Sequence, residues 1–275
     1  MAYNKENIKL NNETYIPSIG FGTSLVTGDE CTQIIKKAIE VGYRHIDTAS
    51  AYENEVEIGN AIRQSKIDRK ELFVTSKVWK DAMGYENTLK SFEKSLKNLG
   101  LEYIDLFLIH WPRNNDENLN IETWKALEKI YKDGKAKAIG VSNFLKHHLE
   151  ALLPNCEICP MVNQIEFHPG LTRQETLEYC REKNIVVEAW APLGKGKMLS
   201  NETLIDIAQK YNKSTAQLCL KWCLQNNVIP LPKSENEGRM KQNLDLFDFE
   251  ITEEDMNTIN NMEFFAGSDM DPNKS

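Results

Sequence analysis

The run YIDLFLIHW, residues 103–111, is apolar from Ile104 to Ile109 except at Asp105, and it does not alternate with polar residues. A strand with one face in water alternates; a strand covered on both faces, as in a parallel sheet flanked by helices, does not. Seven further runs of this β type recur along the chain: SIGFGT (18–23), YRHIDT (43–48), LFVTSKV (72–78), AKAIGVSN (136–143), MVNQIEF (161–167), IVVEAWA (185–191) and NVIPLPKS (227–234). Helical patterns separate them. ENTLKSFEKSLKNLG puts Leu89, Phe92, Leu96 and Leu99 on one face and stops at Gly100; NIETWKALEKIYKDG does the same with Ile121, Trp124, Leu127 and Ile130 and stops at Gly134. TRQETLEYC reads as a helix opened by a capping box from Thr172 to Glu175. Two helices, around 201–211 and 214–226, precede the eighth run, the second capped by Ser214.

Eight strand–helix units with no linker, repeat or shift in composition predict a single (β/α)8 TIM barrel spanning residues 1–275 as one domain. NIKLNNETYIP (7–17) predicts a small N-terminal β-hairpin ahead of the first barrel strand. A Rossmann domain fits poorly: Gly20-x-Gly22 continues with Leu25 where a dinucleotide fingerprint wants glycine.

The chain has 275 residues, 27% of them charged, and a formal charge of −8, which disfavours nucleic acid or an anionic membrane as partner while leaving room for a small anionic ligand in a local basic pocket. No apolar run has the length of a membrane span, and the first ten residues carry no secretory apolar region, so a cytoplasmic protein is expected. The six cysteines make no disulfide framework, and Cys156-x-x-Cys159, bracketed by Pro154 and Pro160, has no second ligand pair for zinc; no metal site is expected.

Barrel enzymes carry their chemistry at the C-terminal ends of the strands. Here those ends hold Asp47, Lys77, His110, Asn143, Gln164 and Lys233. Asp47, Lys77 and His110 fall on successive strands, and Tyr52 follows in the loop AYENE. A carboxylate closing an apolar strand needs a partner, and Lys77 is the one expected. Its charge should lower the Tyr52 pKa, so that the phenol exchanges a proton with a substrate oxygen held by a neutral His110. Each residue taken singly has a structural reading; together they suit a carbonyl that becomes an alkoxide. With one carboxylate and no activated serine or cysteine, the set is ill suited to acyl transfer or glycoside hydrolysis.

The motifs GYRHIDTA with AYENE, TSKVW, LFLIHWP, GVSNF, VNQIEFHP and IPLPKSENEGRMKQN give nearly the whole chain a close resemblance to the aldo-keto reductases. The resemblance implies a catalytic tetrad of Asp47, Tyr52, Lys77 and His110, and NADPH lying across the barrel mouth to reduce small aldehydes, ketones or dicarbonyls. Ser142, Asn143 and Gln164 match the nicotinamide carboxamide ligands, and Trp190 the aromatic stacked on that ring, where many relatives have Tyr. Gly22, Thr23, Pro192 and Leu193 match positions where the family's backbone contacts the cofactor, and Asp47 matches a further cofactor contact. Lys233, Ser234, Arg239, Gln242 and Asn243 match the 2′-phosphate and adenine segment, Gln242 standing where many members have Glu. Glu235 and Glu237 in that segment are expected to point to solvent. Ser24, Trp79, His110 and Trp111 match the substrate pocket. The brief RNNDENLN loop and the short SDMDPNKS terminus imply an open pocket, and family precedent implies a monomer. A non-catalytic, nucleotide-binding regulatory subunit, like the reductase-fold partners of potassium channels, is the alternative.

Overall fold

The computed structural model describes residues 7–274; the readings made for the first six residues, and both ends of the expected domain, lie outside them. The hairpin forms as predicted, β1 (Asn7–Lys9) pairing antiparallel with β2 (Tyr15–Pro17). Its turn reaches across the base of the sheet, where Asn11 donates to the carbonyls of Pro160 and Asn184 and Asn12 to that of Lys137.

The barrel units then follow in order: β3 (Phe21–Gly22), α1 (Cys31–Val41), β4 (His45–Asp47), α2 (Glu55–Ser65), β5 (Phe73–Val78), α3 (Tyr85–Leu99) and β6 (Ile104–Ile109). The second half contains α4 (Glu117–Lys132), β7 (Ala136–Ser142), α5 (Lys146–Leu152), β8 (Val162–Glu166), α6 (Gln174–Glu182), β9 (Val186–Trp190), α7 (Glu202–Lys210), α8 (Thr215–Gln225) and β10 (Val228–Pro230). Helices α9 (Glu237–Leu244) and α10 (Glu253–Asn260) complete it. Every strand from β3 to β10 pairs parallel with the next, and each lies inside one of the eight runs read from the sequence. In β5 all six residues are buried, as an unalternating apolar run requires.

Two backbone bonds bring the first and last strands together: Gly20 N–H donates to Pro230 O and Gly22 N–H to Pro232 O, both at 3.1 Å. Pro230 and Pro232 have no N–H to return, so this seam carries half the bonds of an ordinary parallel pair. The strands also approach closely here. A Cβ on Gly22 would sit 2.9 Å from Leu231 O.

Two local expectations fail. Helix α4 starts at Glu117, within the stretch read as loop, because the Asp116 side chain accepts from Leu119 N–H and caps it. The Thr172–Glu175 capping box does not form; Arg173 adopts a left-handed φ of 47° and α6 begins after it without a side-chain cap. Ser214, by contrast, makes its box with Gln217.

Candidate active site

A cleft of about 1910 Å³ opens at the C-terminal ends of the strands. Asp47 ends β4, Lys77 lies near the end of β5 and His110 follows β6, so the topology alone brings them side by side. Asp47 and Lys77 form the pair expected from the sequence. The ammonium donates to Asp47 Oδ1 and Oδ2, both at 2.8 Å, and to Thr48 O at 2.9 Å, which occupies all three of its protons. Burial opposes charge on Lys77, but Asp47 and Tyr52 outweigh it and hold its pKa above the ordinary value. With no exposed surface, Lys77 reaches the cleft only through Asp47 and Tyr52.

Tyr52 closes a 3-10 turn, Ser50–Tyr52, which Ser50 ties to β5 by donating to Lys77 O at 2.9 Å. The loop is clamped from below by Asn54: its amide accepts from Thr48 Oγ1 at 2.7 Å and donates to the carbonyls of Thr23 and Val26. The Lys77 ammonium sits 5.1 Å from the Tyr52 ring centroid. Contrary to the sequence expectation, the phenol pKa is raised: burial dominates, Asp47 adds to it, and the opposing pull of Lys77 and Ser24 does not overcome them. The group therefore stays a phenol through the neutral range, a proton donor at rest. His110 lies edge-on to Tyr52 at 5.6 Å and to Trp79 at 4.9 Å. Burial, with Lys77 and Lys80 nearby, pushes its pKa well below the usual value, so the imidazole is neutral.

On the far wall, Ser142 and Gln164 are register partners on β7 and β8, and Ser142 Oγ donates to Gln164 O at 2.9 Å. Asn143 turns out of β7 with φ 64°, its amide donating to His110 O at 2.9 Å and accepting from Trp190 Nε1 at 2.8 Å. The indole at position 190 is thus fixed through its N–H, and the Asn143 oxygen already has a donor. Ala191, next to it, holds φ 49° before Pro192, a strained setting for a residue with a Cβ.

Of the residues assigned from the resemblance, Gly22, Ser24, Asp47, Tyr52, Trp79, His110 and Trp111 line the cleft. So do Ser142, Asn143, Gln164, Trp190, Pro192, Leu193, Lys233, Ser234, Arg239, Gln242 and Asn243. Thr23 does not: it is fully buried and its hydroxyl donates to Asp47 O at 2.9 Å, a brace for the strand end. Glu235 and Glu237 are both exposed, as expected, but Glu235 also lines the cleft and pairs with Lys233 at 2.9 Å, while Glu237 pairs with Lys241 at 2.8 Å. Arg239 makes no ion pair among the described residues. The sequence reading missed the rim contributed by Leu25, Lys195, Leu199 and Met270, and the carboxyl of Glu188 on β9. A charged residue inside an apolar strand, the signal that singled out Asp47, was present at Glu188 too.

The family model described as "Aldo/keto reductase family" matches residues 18–263. The chain is 53% identical over 256 residues to the glyoxal reductase of Bacillus subtilis (strain 168), covering 93% of this chain and 92% of that protein. Among solved structures, a Gox0644 variant in complex with NADPH superposes with a TM-score of 0.92 at 39% identity, covering 98% of both chains. A Bombyx mori aldo-keto reductase in complex with NADP gives 0.88 at 36%, again over 98% of both. Among the described residues no helix is long and apolar enough to cross a membrane.

Proposed function

The chain belongs to the aldo/keto reductase family, and from that membership we propose that it reduces small aldehydes, ketones and dicarbonyl compounds to alcohols with NADPH, Tyr52 acting as general acid. The observation that carries this reading is the convergence of a neutral imidazole, a phenol and a buried Lys–Asp pair on one side of a cleft large enough for a dinucleotide. The 53% identical relative named glyoxal reductase supports the dicarbonyl class.

The lining fits the cofactor. Gln164 Oε1 faces the cleft without a partner among the described residues, the half-buried Trp190 ring borders it, and the unpaired Arg239 stands at the N-terminal turn of α9. When bound, NADPH supplies the hydride. The chain's own residues do the rest: Trp190 and Gln164 hold the nicotinamide end, His110 donates toward the substrate oxygen, and Tyr52 delivers its proton there as negative charge develops. Trp79 and Trp111 wall off water from that oxygen, Trp111 being only 7% exposed. Asp47 keeps Lys77 charged, and Lys77 keeps the phenol acidic enough to give its proton up.

A panel of aldehydes, ketones and sugars assayed with NADPH tests the reading. Turnover of glyoxal-type substrates is expected; cofactor binding without turnover of any carbonyl would leave a nucleotide-binding regulatory subunit instead.

Specificity for the phosphorylated cofactor rests on Arg239. Lys233 is engaged by Glu235, so the guanidinium, together with the N–H groups of Glu237 and Gly238 at the start of α9 (that of Arg239 is capped by Asn236), is the cation ready to receive a 2′-phosphate. A charge-assisted bond of about 1.5–3 kcal/mol means that Arg239→Ala weakens NADPH by roughly ten- to a hundredfold. NADH, lacking the phosphate, should bind as before. Fluorescence quenching at fixed salt measures both; equal losses for the two cofactors would refute the assignment.

A further inference from the structure

Glu188 has no exposed surface and no place in the mechanism above. It is the register partner of Gln164 across β8 and β9. Gln164 Nε2 donates to Glu188 Oε2 at 2.9 Å and to Asp47 Oδ1 at 2.8 Å. Both protons of the amide are therefore consumed by carboxyl oxygens, which leaves Oε1 to face the cleft. Turning the amide over would set its oxygen against Asp47 Oδ1, an acceptor 2.8 Å away whatever the state of Glu188, and would leave Glu188 Oε2 without the N–H it accepts.

We propose that Glu188 is a positioning residue for the nicotinamide: with Asp47 it locks the Gln164 amide in the one orientation that presents a hydrogen-bond acceptor to the carboxamide N–H. This rests on the reading of Gln164 as a carboxamide ligand. A locked acceptor fixes which way the carboxamide points, and with it the ring face turned to the substrate.

The groups facing Glu188 are Asp47 and His45 on β4 and Lys77 on β5. His45 Nε2 lies 3.7 Å from Oε1, which has no hydrogen-bond partner among the described residues. Burial pushes the His45 pKa down to about 3, so it brings no charge. Burial and the Asp47 charge push the Glu188 carboxyl up to about 8, with Gln164 and Lys77 pulling the other way. Glu188 is accordingly neutral at pH 7 and ionises just above it. In either form Oε2 accepts from Gln164, but ionisation adds a negative charge beneath the nicotinamide subsite. That charge favours the cationic ring of NADP+ over the neutral ring of NADPH.

The test compares wild type, E188Q, E188L and Q164A by the dissociation constants of NADPH and NADP+ between pH 6.5 and 9. E188L, which removes the acceptor, should weaken NADPH about three- to tenfold, the worth of one hydrogen bond. E188Q should keep wild-type affinity, because the introduced amide oxygen accepts the same proton. In wild type, NADP+ should gain on NADPH as pH rises through about 8, and in E188Q this gain should vanish. Normal NADPH binding by E188L alongside weakened binding by Q164A would overturn the role of Glu188 while sparing that of Gln164. Unaltered binding by Q164A would overturn both. Should E188L fail to fold, E188A takes its place: NADPH weakened about three- to tenfold supports the proposal, and unchanged NADPH binding overturns it.

Discussion

Tyr52→Phe is expected to lower kcat for carbonyl reduction by about 10²–10⁴-fold, the usual range for a lost general acid, while the NADPH dissociation constant stays unchanged. The ring that packs edge-on to His110 is retained; only the hydroxyl goes. Among the described residues no other acidic proton is placed to substitute, since the Lys77 protons are occupied by Asp47 and Thr48 and His110 is neutral. The raised phenol pKa also sets the pH dependence. Reduction uses the protonated form and should be level through the neutral range, falling only in strong alkali. Alcohol oxidation needs the phenolate and should rise with pH. Single-turnover kinetics would check both; a variant keeping more than half the wild-type rate would remove Tyr52 from the chemistry.

Lys77→Met carries the second large effect, and it acts on rate and stability together. The substitution leaves Asp47 buried with Gln164 as its remaining side-chain donor. Breaking one side of a buried pair costs about 3–5 kcal/mol, on the order of 10 °C in Tm for a chain of this size. The phenol also loses the charge that restrains its pKa, so proton donation slows. Asp47→Asn should be milder. One amide oxygen can still accept from Lys77 and Gln164, although the amide N–H2 then meets the ammonium where an oxygen had been. Thermal unfolding and kcat for the two variants measure the difference; a negligible change in kcat for both would leave the pair merely structural.

The barrel was legible because strands buried on two faces cannot hide their composition: 103–111 contains β6, and NVIPLPKS contains β10 despite its prolines. Asp47, Lys77 and His110 were legible for a related reason, since polar residues at the ends of apolar strands have few other uses. The helix starts were less so. Asp116 caps α4 through a side-chain bond that composition does not reveal in RNNDENLN, and the left-handed Arg173 defeats a capping box that the letters spell correctly. Glu188 escaped because a strand of period two has two faces, and only the pairing with Gln164 decides that this carboxyl turns inward. Thr23 and Glu235 show what a motif match leaves open: it assigns a position, whereas the hydroxyl of one goes to Asp47 O and the carboxylate of the other to Lys233.

The seam between β3 and β10 has a consequence for how the protein moves. Its two bonds run in one direction only, from glycine N–H into proline carbonyls, so this is the part of the sheet with the least to lose by parting. Leu231, Pro232 and Lys233 lie along that join and also line the cleft, on the side assigned to the cofactor. Local opening would therefore part the cofactor wall while the strands bearing Asp47, Lys77 and His110 stay paired. A ligand spanning the join acts as its missing fastener, and the amide protons of Gly20 and Gly22 are the clock by which its arrival and departure could be timed.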